Sequence, residues 1–140
     1  QYGVPKDLLY ATVKTESGFD EKAKSAAGAV GLTQITPQTL EWLTSKTGEN
    51  YSEEDLYNPE IAIKYCAYFY SLLLNEFGNT PTAVAAYHAG RGQVNTWLAD
   101  RRYSSDGGSL AEIPSSATRH YVNKITDAIK VYNHLYKGEL

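Results

Sequence analysis

One cysteine in 140 residues, Cys66, excludes an intramolecular disulfide and a multi-cysteine zinc site. It falls in an apolar helical segment, where a small core residue is expected rather than a nucleophile. The three histidines, His88, His120 and His134, share no metal-ligand spacing with Cys66 or with one another. No metal and no cofactor are therefore expected. Basic runs and Arg/Lys stripes are missing, and the net charge is −3, so nothing points to nucleic acid. Long apolar runs are missing too. The most apolar stretch, 67–74, is interrupted by Tyr68, Tyr70 and Ser71, and no segment is long enough to span a bilayer. No leader-like segment heads the chain, as expected of a mature or excised domain. Trp (2) and Phe (3) are scarce beside 12 Tyr, a flat apolar ring with a hydroxyl that suits grooves for polar, ring-shaped ligands.

What is present reads as one mainly helical domain over residues 1–140, with 42% hydrophobic and 21% charged residues, enough for a real core. The five prolines mark helix starts. Three follow a good capping residue directly: Thr36-Pro37, Asn58-Pro59 and Thr80-Pro81. Pro5 opens the first helix and Pro114 precedes the last. Helices are predicted near 5–17, 37–48, 59–77, 81–88, 91–99 and 116–136, with Gly18, Gly48, Gly78 and Gly90 closing four of them. The broad apolar surface of 59–77 makes it the central helix. Residues 18–35 and 100–113 read as loops, the second as mobile. No strand pattern, internal repeat or interdomain linker is apparent.

Glu16 carries the first chemical signal. Leu8, Leu9, Thr12 and Val13 precede it at i−8, i−7, i−4 and i−3, so the carboxyl lies on the stripe that faces the core, at the C-terminal end of its helix. Burial and the negative end of the helix dipole both raise a carboxyl pKa, and a carboxyl kept protonated near neutral pH can serve as a general acid. A helix-end Glu bent toward solvent is the plainer reading of this residue alone.

Three further segments follow. Gly31-Leu32-Thr33-Gln34-Ile35-Thr36-Pro37 is a glycine-hinged turn delivering Gln34, a donor and acceptor suited to N-acetyl or hydroxyl groups, just before a helix. Ala86-Tyr87-His88-Ala89-Gly90 ends a short helix of small residues. Ile113-Pro114, then Thr118-Arg119-His120-Tyr121-Val122, opens the last helix. Taken singly, Gln34 reads equally as a cap, Tyr87 and Tyr121 as packing, and Arg119 as a structural partner of loop carbonyls or a carboxylate.

In this order, the four segments resemble the soluble-type lytic transglycosylase (SLT) domain, a lysozyme-like module that cuts peptidoglycan. That family shows Glu-Ser, then Gly-Leu-Met-Gln-Ile, then Ala-Tyr-Asn-Ala-Gly, then Glu-Thr-Arg-x-Tyr-Val, and the resemblance runs from about Tyr2 to Tyr136. It implies a goose-type/SLT helical fold with a substrate groove and Glu16 as the single catalytic acid/base. Ser17 extends the catalytic motif. Ser25 and Gln34 match positions lining the sugar groove. Tyr87 matches a tyrosine whose hydroxyl orients the acid, His88 replaces the neighbouring Asn, and Tyr121 matches a groove tyrosine. No second carboxylate in the motifs serves to stabilise an oxocarbenium-like charge; Asp20 and Glu21 sit in a polar loop. This agrees with assistance by the sugar's N-acetyl oxygen and a 1,6-anhydromuramic product.

The chain departs from the pattern at Thr33 (usually Met), His88 (Asn), Arg91 (commonly Pro) and Ala117 (Glu). Ala117 is the serious departure, with reduced activity expected and Tyr87 or Arg119 left without a partner. A hydrolytic lysozyme-type muramidase and a non-cleaving peptidoglycan-binding domain are the alternatives. Peptidoglycan strands as partner imply export to the cell wall, periplasm or exterior; the acidic pI of about 5.6 gives no pull toward anionic wall polymers.

Overall fold

A computed structural model describes residues 2–138. Six α-helices follow one another: α1 (Lys6–Ser17), α2 (Pro37–Thr47), α3 (Pro59–Phe77), α4 (Thr80–Ala89), α5 (Arg91–Leu98) and α6 (Ser116–Asn133). A 3₁₀ turn, Glu53–Tyr57, precedes α3, and a π-helical turn, His134–Gly138, follows α6. The described residues contain no strand, only two isolated antiparallel bridges, Lys24↔Val30 and Val30↔Ile35. No helix among them is long and apolar enough to cross a membrane.

The helix boundaries follow local chemistry. The Thr36 side chain accepts from Thr39 N–H and the Asn58 side chain from Glu60 N–H, each ahead of a proline that has no N–H to satisfy. The third expected cap shifts by one residue. Asn79, not Thr80, accepts from Thr82 N–H, so Pro81 sits in the second helical position. Gly18, Gly48 and Gly78 adopt the left-handed conformation that ends a helix. The last helix stops as an α-helix at Asn133 rather than running on to 136.

Helix α3 is central as expected. Ala62, Tyr65, Cys66, Tyr70 and Leu73 along it are fully buried. Tyr70 shares a hydrogen bond of 3.0 Å with Thr12 on α1, which satisfies two polar groups buried at that crossing. Helix α6 presents Tyr121, Val122, Ile125 and Ala128 inward and packs along α1.

The two loops are tied down by hydrogen bonds. In residues 100–113, expected to be mobile, the buried Ser104 hydroxyl donates to Ser109 O and accepts from Gly107 N–H, while Asp106 accepts from the N–H groups of Gly108 and Ser109. These bonds hold the Asp106 carboxyl down at about 2. In residues 18–35, Gly31 has φ +80° and lies so close to the 53–57 turn that a Cβ there would fall 2.1 Å from Leu56 O. Only glycine fits, and the turn that carries Gln34 is thereby seated on the core.

Candidate active site

Glu16 is the last residue but one of α1, half-buried at the floor of a cleft of about 400 Å³. The cleft is walled by the 25–36 loop, the start of α2, Phe69 of α3 and the C-terminal end of α4. Burial pushes the Glu16 carboxyl up to about 7, against a smaller opposing effect from the Tyr121 hydroxyl, which donates to Oε2 at 2.8 Å. The group therefore exchanges its proton near neutral pH, as a general acid/base must. Among the described residues Glu16 is the only carboxylate lining the cleft. Asp20 and Glu21 are exposed outside it, as their polar surroundings suggested.

Ser25, Gln34, Tyr87 and His88 line this cleft together with Glu16. Ser25 Oγ accepts from Ala29 N–H at 3.0 Å, which leaves its own proton to donate. Gln34 holds φ +53°, and its Nε2 donates to Ala23 O and Gly31 O. Its Oε1 is the amide atom left for a ligand N–H. His88 stacks on Tyr121, with ring centroids 4.6 Å apart, and its Nδ1 lies 3.0 Å from Thr118 Oγ1. Desolvation lowers the His88 pKa below its ordinary 6.5, so the ring is neutral at pH 7.

Three expected residues are placed differently. Tyr87, the expected orienter of the acid, donates to Thr33 O at 2.7 Å and stacks on Tyr70 at 4.5 Å. Tyr121, expected as a groove tyrosine, is buried beneath the surface and supplies the hydroxyl that reaches Glu16. The exchange follows from packing: α6 lies along α1, whereas α4 ends against the 31–35 turn. Ser17 lies outside the cleft; its hydroxyl donates to Leu32 O at 2.8 Å, with Val13 O also in range, and pins the α1 terminus to the loop.

The departures have local accounts. Buried Thr33 donates to Ala62 O at 3.3 Å, so its hydroxyl is satisfied. Ala117 is exposed in the first turn of α6, outside the cleft lining. Its lack of a carboxylate strands neither neighbour: Tyr87 bonds Thr33 O, and Arg119 Nη1 donates to Ile113 O at 2.8 Å. Cys66 is a core thiol pushed up to about 12 by burial. No group of three or more metal-binding side chains occurs among the described residues.

Sequence reading missed Thr118, the partner of His88, and Phe69, which it took for core alone. Thr118 precedes Tyr121 by three residues and so shares its helix face, a signal available in the spacing.

The soluble lytic murein transglycosylase of Escherichia coli (strain K12) is 33% identical over 97% of this chain and 22% of its own length. An inactive glutamate-to-glutamine mutant of the lytic transglycosylase Slt from Pseudomonas aeruginosa superimposes with a TM-score of 0.83 at 32% identity, over 96% of this chain and 22% of that one. A 70-kDa soluble lytic transglycosylase in complex with bulgecin A gives 0.85 at 28%, over 97% and 23%. The chain thus spans about a fifth of the length of these relatives. Residues 1–107 match the family described as the transglycosylase SLT domain, and with its lysozyme-like helical fold the chain belongs to that family.

Proposed function

We propose that the chain is a peptidoglycan lytic transglycosylase, acting outside the cytoplasmic membrane on the β-1,4 bond between N-acetylmuramic acid and N-acetylglucosamine. One observation carries this reading: a carboxyl with a pKa of about 7 lines the cleft with no second carboxylate beside it among the described residues. Protonated Glu16 gives its proton to the glycosidic oxygen as the bond to the anomeric carbon breaks. The N-acetyl oxygen of the same muramic residue attacks that carbon and takes the place of the second carboxylate of most glycosidases. Glu16, now ionised, removes the proton of the C6 hydroxyl, whose oxygen closes the 1,6-anhydro ring and releases the N-acetyl group. The acid is restored and no water is consumed.

Around that step, Gln34 Oε1 and the Ser25 hydroxyl meet N–H and carbonyl groups of the sugar. Tyr121 fixes the angle of Glu16, and a small misplacement of the acid costs much of the rate. The names of the relatives support the substrate class.

Digestion of purified peptidoglycan, with mass spectrometry of the products, tests the reading. Products one water lighter than hydrolytic fragments, lost in Glu16→Gln, are expected. Reducing ends would make the chain a hydrolytic muramidase, and binding without products a glycan-binding domain. Ala117 leaves the first turn of α6 with no acidic residue. We propose that this lowers turnover, and Ala117→Glu is expected to raise the rate of fragment release; an unchanged rate would remove the effect.

A further inference from the structure

The cleavage step above leaves one hydrogen-bonded pair at the cleft unused. The Thr118 side chain is buried in the first turn of α6, and its hydroxyl has a single partner among the described residues, His88 Nδ1 at 3.0 Å. That hydroxyl has one proton to place. A hydrogen on Nδ1 would make the ring the donor and leave the Thr118 proton enclosed with no acceptor, a costly state. With Thr118 donating to Nδ1, both groups are satisfied. In the neutral ring the remaining hydrogen then sits on Nε2.

The plane of the ring is held as well. It stacks on Tyr121 with planes 26° apart, and Tyr121 in turn bonds Glu16. Nε2 makes no hydrogen bond within the described residues, and His88 is exposed where it lines the cleft. The other donors nearby are spent. Gln34 Nε2 gives its hydrogens to Ala23 O and Gly31 O, the Tyr87 hydroxyl goes to Thr33 O, and the Thr36 hydroxyl to Thr39. Among the described residues lining the cleft, His88 is thus the one side chain with an N–H left for a ligand.

We propose that His88 donates its Nε2–H to a neutral oxygen of the glycan, a hydroxyl or acetamido oxygen, and that Thr118 is the positioning residue that fixes this tautomer and the ring plane. The proposal rests on the peptidoglycan reading above and deepens it. The asparagine usual at this position offers both an N–H and a carbonyl oxygen. His88, its Nδ1 lone pair taken by Thr118, gives a hydrogen bond to the cleft and accepts none.

Two measurements test it. Nitrogen-15 NMR of the imidazoles at pH 8 reads the tautomer, with the His88 signals identified by their loss in His88→Gln. Hydrogen on Nε2 is expected, and hydrogen on Nδ1 would overturn the proposal. The spectrum is that of the unmodified chain, so the result holds even where a variant fails to fold. Calorimetry on the Glu16→Gln chain then uses glycan strands stripped of peptide by an amidase. Adding His88→Leu, which removes the donor, is expected to weaken binding about fivefold, the scale of one neutral hydrogen bond. His88→Gln, whose amide N–H falls near the Nε2 position, is expected to recover most of that loss. Thr118→Val should fall between the two extremes, while Thr118→Ser, which keeps the hydroxyl, should bind as the Glu16→Gln chain does. Equal weakening by Thr118→Ser and Thr118→Val would overturn the positioning role. If His88→Leu binds undiminished and the unmodified chain yields anhydro products, the donor falls and the cleavage reading stands; a chain that neither binds nor cleaves the strands overturns both.

Discussion

Two glutamates at helix C-terminal ends, each bonded by a tyrosine hydroxyl, behave in opposite ways. Glu16, in the last turn of α1, accepts from Tyr121 and is pushed up to about 7. Glu49, just past the end of α2, accepts from Tyr65 and is held below the ordinary carboxylate value, first by its hydrogen bond to Lys64 at 2.6 Å. Both stand at the negative end of a helix, so the dipole does not separate them. The difference is solvent and a cation. Glu16 is desolvated in the floor of the cleft with no Lys or Arg bonded to it, whereas Glu49 reaches solvent with Lys64 beside it. A tyrosine hydroxyl alone stabilises a carboxylate; burial without a counter-charge raises a carboxyl until it gains and loses its proton near pH 7.

The largest expected effect comes from removing the acid. Glu16→Gln should slow strand cleavage by about a thousandfold, within the range of general acid–base catalysis, measured as release of soluble fragments. The same variant gives a stability readout. The folded pKa, about 7, exceeds the ordinary 4.5, so the group's contribution is fully present below about pH 4.5 and is lost as pH rises through 7. A rise of this size corresponds to up to about 3 kcal/mol at pH 8, and Gln, always neutral, escapes the loss. Thermal melting should therefore find Glu16→Gln more stable than the parent chain at pH 8 and equal to it near pH 4; equal melting at both would mean that Glu16 is not desolvated.

Tyr121→Phe ranks next. Its hydroxyl lowers the Glu16 pKa and sets the angle of the carboxyl. Removal should cost about tenfold in rate through lost positioning. The alkaline limb of the pH–rate profile should also move up, because the acid then keeps its proton to higher pH. Tyr87→Phe should leave that limb in place, since its hydroxyl is spent on Thr33 O.

Lys64→Met isolates the cation. The Glu49 carboxyl should rise toward its ordinary value yet stay well below 7, followed by NMR titration of its carboxyl carbon. A value near 7 would break the comparison, because the cation and not solvent would then separate the two groups. Glu49→Gln should be the mildest of the series: unchanged cleavage, and a small drop in melting temperature because Tyr65 and Lys64 lose a charged acceptor and are left with one amide oxygen between them.

Most of the helical frame was legible because its signals are local. Prolines after capping residues and glycines at helix ends act within four residues. The exception at Asn79 is instructive: Asn and Thr both cap, and the choice between neighbours depended on which side chain could reach Thr82 N–H. The 53–57 turn leaves little trace in the sequence because it is short and its apolar side chains are only Leu56 and Tyr57. The 100–113 loop looked mobile from Ser and Gly content, yet the same residues bond one another through Ser104 and Asp106.

In the site, the sequence by itself determined which residues could do chemistry. The apolar stripe of α1 placed Glu16 inward, and the resemblance of the motifs to the SLT family implied that Ser25, Gln34, Tyr87 and His88 share a groove with it, as they do. Only the tertiary structure decided which tyrosine bonds Glu16. Tyr87 and Tyr121 are both inward aromatics at helical spacing, and nothing local to either says that α6 runs along α1. The reach of a hydroxyl across 105 residues of chain is a property of helix packing. Likewise, Glu16 and Glu49 are the same residue at similar helix ends, and what distinguishes their pKa is the solvent and charge that the folded chain leaves around each.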